Sequence, residues 1–250
     1  MVATSNVRIL KTKAESGRAA AEIAAGCLKE AIQKKGRAVF IAATGASQFD
    51  FLEALVATPG IDWSKTTMFH LDEYLGLPSS HPASFRKYLK ERFISKVKPG
   101  VVHLCEGDAP NAEAERKRLS ALIAKEEVDV AFVGIGENAH LAFNDPPADF
   151  ETNEPYLIVT LDEACRKQQM GEGWFKTVAD VPEKAISMSV RQIGKAKVII
   201  CTVPDARKAQ AVKLSLEGPV VNTVPASILQ KHPACHFFLD EASASLLSKR

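Results

Sequence analysis

The sequence predicts an α/β fold, a mostly parallel sheet with helices on both faces. Short apolar runs without polar alternation, such as residues 38–43 (AVFIAA), are what strands buried on both faces look like. Between them stand segments whose apolar residues recur at helical spacing. The two kinds alternate along the chain, which requires crossover connections and therefore parallel pairing.

The elements follow in order. Residues 15–35 place Ala20, Ile23, Ala24, Cys27, Leu28, Ala31 and Ile32 on one helical face. The run 38–43 is the first strand and 49–56 the next helix; 67–71 is a strand, 84–93 a helix, 101–104 a short strand. Residues 111–125, rich in Ala, Glu and Lys, read as helix, and 128–134 (VDVAFVG), 156–160, 185–190 and 197–203 as strands. A helix over 206–217 carries Ala209, Val212 and Leu216 on one side, and 235–239 is a last strand. No repeat, low-complexity tract or linker interrupts the pattern, so 1–250 reads as a single domain. The stretches expected to be irregular are 136–155 and 165–182, and long loops in compact domains are usually functional. Ligands of open α/β sheets sit at the carboxyl ends of the strands, which directs attention to the loops after 43, 71 and 134.

Composition narrows the function. The 250 residues are 46% hydrophobic and 25% charged, enough to bury a full core without staples. Formal net charge is +2 with no block of one sign, which argues against nucleic-acid and membrane-surface partners. No stretch approaches the roughly 20 apolar residues of a membrane helix, and Met1–Leu10 lacks an apolar signal core. Five scattered cysteines without a C-x-x-C pair read as buried thiols in a reducing, cytoplasmic setting; no metal-ligand spacing is evident.

Three loops carry candidate chemistry. Thr44-Gly45-Ala46-Ser47 leads from a strand into a helix, where backbone N–H groups and hydroxyls suit a phosphate, although a plain capped turn has the same look. Asp72 and Glu73 stand at a strand's end, as a base for proton abstraction or as solvated carboxylates. The run Gly134 to Pro147 is the densest: Gly136, Asn138, His140 and Asp145 lie close together, and a histidine beside a carboxylate is a natural proton shuttle. Gly134, Gly136 and Ala139 also fit the dinucleotide fingerprint G-x-G-x-x-G/A, but that motif needs a helix directly after it, and Pro146-Pro147 leaves little room for one.

Together these loops resemble the glucosamine-6-phosphate deaminase/isomerase family over nearly the whole chain. Thr44-Gly45-Ala46-Ser47 looks like the family's T-G-G-T/S phosphate loop, and Asp72-Glu73-Tyr74 with Gly76-Leu77 and His81-Pro82-x-Ser84 like its D-E-Y-x-G-L…H-P-x-S segment. Gly134 to Pro146 looks like G-x-G-x-D-G-H-I-A-F-N-E-P, and Lys208-Ala209…Glu217-Gly218 like K-A-x-A…E-G. The resemblance implies a modified Rossmann-like fold and cofactor-free conversion of glucosamine 6-phosphate and water to fructose 6-phosphate and ammonia. It implies Asp72 as the C2 base, His140 as the ring-opening group oriented by Asp145, and Lys208 with loop 44–47 on the phosphate; Glu73 and Gly136 are expected beside the substrate. The implied partner is a small-molecule sugar phosphate, with room for a homo-oligomer.

The chain departs from the family at four points. Asn138 replaces an acid, so the ring-opening relay is weakened or rebuilt; Asp145 replaces a Glu; Ala139 replaces a Gly. A family arginine that binds phosphate aligns with Gly173, and Arg191 is the expected substitute. Two other functions remain open. A related 6-phosphogluconolactonase would favour T-A-S-L-F-P where this chain has Leu141 to Pro146, and a non-catalytic sugar-phosphate sensor would explain Asn138 and the missing arginine.

Overall fold

The computed structural model describes residues 6–248. In chain order the elements are β1 (Val7–Leu10), α1 (Lys13–Lys35), β2 (Ala38–Ala42), α2 (Phe49–Ala57), β3 (Thr66–His70), β4 (Asp72–Tyr74), α3 (Phe85–Leu89), α4 (Ser95–Val97), β5 (Val101–His103), α5 (Ala112–Ile123) and β6 (Val130–Val133). There follow β7 (Tyr156–Thr160), α6 (Glu163–Gly171), β8 (Lys184–Met188), α7 (Val190–Ile193), β9 (Val198–Val203), α8 (Ala209–Glu217) and β10 (Cys235–Asp240). A π-helical turn (Lys90–Ile94) joins α3 to α4.

Seven strands form one sheet in the order β1-β10-β9-β6-β2-β3-β5, and every pairing in it is parallel. The alternation of side chains along β2 explains why this sheet is covered on both sides. Val39 and Ile41 enter one apolar cluster, with Leu119 of α5 and Val212 of α8. Ala38, Phe40 and Ala42 enter another, with Ala20 and Leu28 of α1 and Phe51 of α2. Local signals fix α1: Thr12 and Glu15 form a reciprocal cap at its start, and Gly36, at φ 77°, ends it in the left-handed conformation that glycine adopts without strain. Its small residues allow close packing, since a Cβ on Gly17 would lie 2.7 Å from the Asp50 carbonyl carbon at the start of α2.

A second sheet, β4-β8-β7, is antiparallel throughout. It and α6 enclose a third cluster that includes Tyr74, Phe85, Phe143 and Phe175. This part departs from expectation. β4 was expected as a loop, because three polar-to-aromatic residues carry no strand signal and their partners, Ala185 to Ser187, are distant in sequence. α6 occupies part of the expected irregular stretch 165–182; its sequence EACRKQQMG offers little apolar periodicity, but Asp162 caps it by accepting from the Cys165 N–H. The stretch 136–155 is free of helix and strand, as expected, and no helix follows Gly134-Gly136, so the dinucleotide reading has no structural support. Among the described residues no helix is long and apolar enough to cross a membrane.

Candidate active site

Strand order reverses direction beside β2. The chain moves from β2 to β3 and β5 on one side, while β6, β9 and β10 lie on the other. Loops leaving β2 and β6 in opposite directions open a crevice at the carboxyl ends of the strands. There Thr44 to Ser47, Leu71-Asp72, Gly134 to Gly136 and Pro204 to Lys208 line a cavity of about 260 Å³.

The loop after β2 is built to present donors. Gly45, at φ 94°, turns the backbone into the 3₁₀ turn Ala46–Gln48 that leads into α2. The first N–H groups of such a turn have no partner within it, and they favour an anion. The buried Gln48 side chain pins the loop from below, donating to Thr202 Oγ1 at 2.8 Å and to the Val133 carbonyl at 3.4 Å. Opposite stands Lys208, 5% exposed, with no carboxylate within 4.0 Å among the described residues. Burial pulls its pKa down, against the opposing pull of Glu172 and Glu137. A desolvated ammonium without an ion-pair partner, beside free N–H donors, suits a phosphate group.

Asp72 is 6% exposed and lines the same cavity, and among the described residues no group hydrogen-bonds to its carboxylate. Burial, reinforced by the neighbouring Glu73 charge, pushes its pKa up to about 8. Alternation along β4 sends Glu73 the other way, and the expectation that it binds substrate fails for that reason. Its carboxylate accepts from Ser84 Oγ (2.9 Å) and from the N–H groups of Arg86 (2.8 Å) and Phe85 (3.2 Å), with the buried Arg86 guanidinium Nε at 3.4 Å. Glu73 therefore clamps the start of α3 against β4 and holds the strand that carries Asp72.

His140 comes to the cavity on a tight reversal. Ala139 and Ala142 adopt φ of 66° and 54°, a left-handed conformation costing non-glycine residues roughly 1–2 kcal/mol each. Asp145 Oδ1 lies 3.1 Å from His140 Nδ1, close but not aligned as a hydrogen bond. Burial alone would raise the Asp145 pKa, but the histidine and Asn138 more than offset it and hold the carboxyl below its usual range. Gly136 lines the cavity, yet its main service is clearance: a Cβ there would sit 2.3 Å from the His140 ring. Asn138 stays off the cavity wall. Its amide donates to Asp145 (2.9 Å) and Asp162 (3.1 Å), and its carbonyl oxygen accepts from the His140 N–H. Asn138, expected to be catalytic, instead sits behind the His140–Asp145 pair, because its side chain turns back into the loop.

Arg191 is not at the site. On α7 the buried Val190 and Ile193 turn it outward, where it donates to the Glu151 carbonyl at 3.1 Å. The cations that do line the cavity beside Lys208 are Lys13 and Arg207, the latter 3.4 Å from Glu137. Gln168, Gln169 and Glu172 of the α6 region complete the wall, and Gln168 ties it down by accepting from the Glu137 N–H at 2.8 Å. Sequence reasoning missed all of these. Arg207 adjoins the expected Lys208 and could have been flagged by that adjacency; the others depend on where α1 and α6 pack.

Comparison with known proteins gives a consistent picture. The family model for glucosamine-6-phosphate isomerases/6-phosphogluconolactonase matches residues 11–237. The chain is 39% identical to the glucosamine-6-phosphate deaminase of Latilactobacillus sakei, over 97% of this chain and 100% of that one. It is 34% identical to the glucosamine-6-phosphate deaminase of Oenococcus oeni, over 98% and 99%. Among solved structures, a monomeric glucosamine-6-phosphate deaminase superposes with TM-score 0.88 at 32% identity, covering 96% of this chain and 99% of that one. A 6-phosphogluconolactonase from Shewanella baltica superposes with TM-score 0.78 at 17% identity, over 96% and 99%, which speaks for the fold alone.

Proposed function

The chain belongs to the glucosamine-6-phosphate isomerase/6-phosphogluconolactonase family, and from that membership we propose that it converts glucosamine 6-phosphate and water to fructose 6-phosphate and ammonia. One observation carries the choice of activity. A single cavity is lined by an unpaired buried carboxylate, a histidine with a carboxylate behind it, and a buried ammonium beside a donor-lined loop. These are the parts needed for a proton shift at carbon next to a ring that must open, on a substrate held by its phosphate.

The roles follow from chemistry. His140, with Asp145 behind it, moves the proton that opens the pyranose. Asp72 takes the C2 proton; the enolamine is reprotonated at C1, and water hydrolyses the ketimine to release ammonia. Lys208, Thr44, Gly45, Ala46 and Ser47 hold the phosphate, which fixes the reacting carbons for proton transfer. Each step moves protons between named side chains and substrate, so the reaction calls for no cofactor. The side chains named here all come from one chain, read as a single domain over 1–250. The thiols, all free, and the lack of a membrane-spanning helix among the described residues support a cytoplasmic location.

The direct test is ammonia release from glucosamine 6-phosphate. We expect it to survive exhaustive chelation and to be far weaker with unphosphorylated glucosamine. Lys208→Ala should raise KM steeply with little change in kcat, since a charge-assisted contact is lost in ground and transition states alike. Equal use of the phosphorylated and plain sugars would remove the phosphate pocket. Binding of sugar phosphate without turnover would favour a sensor, the reading that Asn138 and the missing arginine motivate.

Gly136→Ala tests the assembly of the site. Its Cβ must displace the His140 ring, and overpacking of this kind costs about 1–3 kcal/mol. We expect kcat to fall by tenfold or more with fructose 6-phosphate affinity nearly kept. An unchanged kcat would mean that the ring position is not used.

A further inference from the structure

Behind the His140–Asp145 pair stands a thiol that the reaction does not use. Cys165, in the first turn of α6, is fully buried; its Sγ, an Asp145 oxygen and a His140 ring nitrogen lie within 4.8 Å of one another. Imidazole, thiolate and carboxylate together are the donors that Zn²⁺ and similar thiophilic cations take. A tetrahedral zinc ion spaces its ligands about 3.5 Å apart. The histidine and aspartate, at 3.1 Å, are already near that spacing, and the thiol, within 4.8 Å of both, needs a shift of about 1.3 Å or less.

Two further features suit a metal. His140 Nδ1 is buried without an aligned hydrogen bond, so its lone pair is available. Both oxygens of Asp145 are steered from behind, by the Asn138 amide at 2.9 Å and the Asp162 N–H at 2.9 Å, as the carboxylates of metal sites commonly are. A thiolate and a carboxylate would also neutralise a divalent charge, which a buried site requires.

We propose that His140, Asp145 and Cys165 form a capture site for a thiophilic divalent cation, which inhibits the enzyme by taking the histidine nitrogen that faces Asp145. On binding, the S–H proton leaves to solvent and the imidazole keeps its one proton on Nε2. The metal gains bonds to sulfur, nitrogen and oxygen without change of oxidation state, and its fourth position is left for water from the cavity. The proposal adds a regulatory ligand to the site of the preceding section, and its inhibition arm rests on that reading.

The test uses the whole chain, reduced and stripped with chelator. Titration with Co²⁺ should produce a near-ultraviolet thiolate-to-cobalt band that saturates at one equivalent. Cys165→Ala should lose the band; Cys165→Ser, closer in size, provides the same comparison should the alanine variant fail to fold. In parallel, Zn²⁺ should inhibit ammonia release reversibly by chelator, and the Cys165 variants should keep basal activity while requiring at least tenfold more Zn²⁺ for inhibition. No band in the parent, or the same band and the same zinc sensitivity in both proteins, overturns the site. A band without any ammonia release upholds the site and counts against the deaminase reading alone; ammonia release without a band does the reverse.

Discussion

Asp72→Asn should abolish both deamination and exchange of the C2 hydrogen with solvent, and should make the protein melt higher at alkaline pH. The first effect follows because the other carboxylates on the cavity wall have partners: Glu172 accepts from the Gln168 amide and Asp205 faces Arg207. Behind the wall, Asp145 accepts from Asn138, and Glu73 is turned into the α3 clamp. The second follows from burial. The folded chain holds the Asp72 proton up to about pH 8 against an ordinary value of 3.8. A carboxyl whose pKa is raised on folding contributes stability that is fully present below its unfolded pKa. That contribution is lost as pH rises through the folded value, since the buried group must then carry a charge. Asparagine carries none, so the variant gains over the parent at pH 9 and not at pH 4. For the parent, ionisation of Asp72 in the free protein should make kcat/KM rise as pH passes through about 8. Deuterium exchange and thermal melts at the two pH values check both halves. Near-parental exchange in the variant would place the base elsewhere, and an equal melting difference at pH 4 and pH 9 would deny the burial of its charge.

The parallel sheet was legible because β2 and β6 at its centre are continuous apolar runs, and both could be placed from sequence to within a residue or two. The carboxyl ends of those strands then located the cavity, and Asp72, His140, Lys208 and the 44–47 loop all line it. What escaped reading is what tertiary pairing decides. β4 is a strand only because β8 lies beside it, and its pairing settles that Asp72 faces the cavity while Glu73 faces Arg86. Motif matching gave both acids the same environment; the two-residue repeat of a strand separates them. Arg191 failed for a similar reason. Its distance from the other site residues in sequence said nothing of which face of α7 it would take, and the apolar Val190 and Ile193 claimed the inner one. Gly136 lines the cavity, and only the folded loop shows the imidazole ring filling the space of its absent Cβ.

His140→Gln should separate ring opening from proton transfer at carbon. Positioned acid–base help is typically worth about 10²–10⁴-fold, and turnover of the closed pyranose should fall by something in that range. Glutamine preserves much of the volume, and the loop is pinned by Asn138 and Asp162 rather than by the imidazole, so it should keep its form. Asp72 stands on a different strand and is held by the Glu73 clamp rather than by His140. The C2 proton shift, once the sugar is open, should therefore be spared much more than overall turnover. The comparison is made by following solvent deuterium into C1 of fructose 6-phosphate in the presence of ammonium, beside ammonia release from glucosamine 6-phosphate. In Asp72→Asn both signals should vanish; in His140→Gln ammonia release should collapse while exchange persists. Equal losses of the two signals in His140→Gln would show that the histidine also serves the carbon acid step, and the division of labour between the β4 carboxylate and the 134–146 loop would have to be given up.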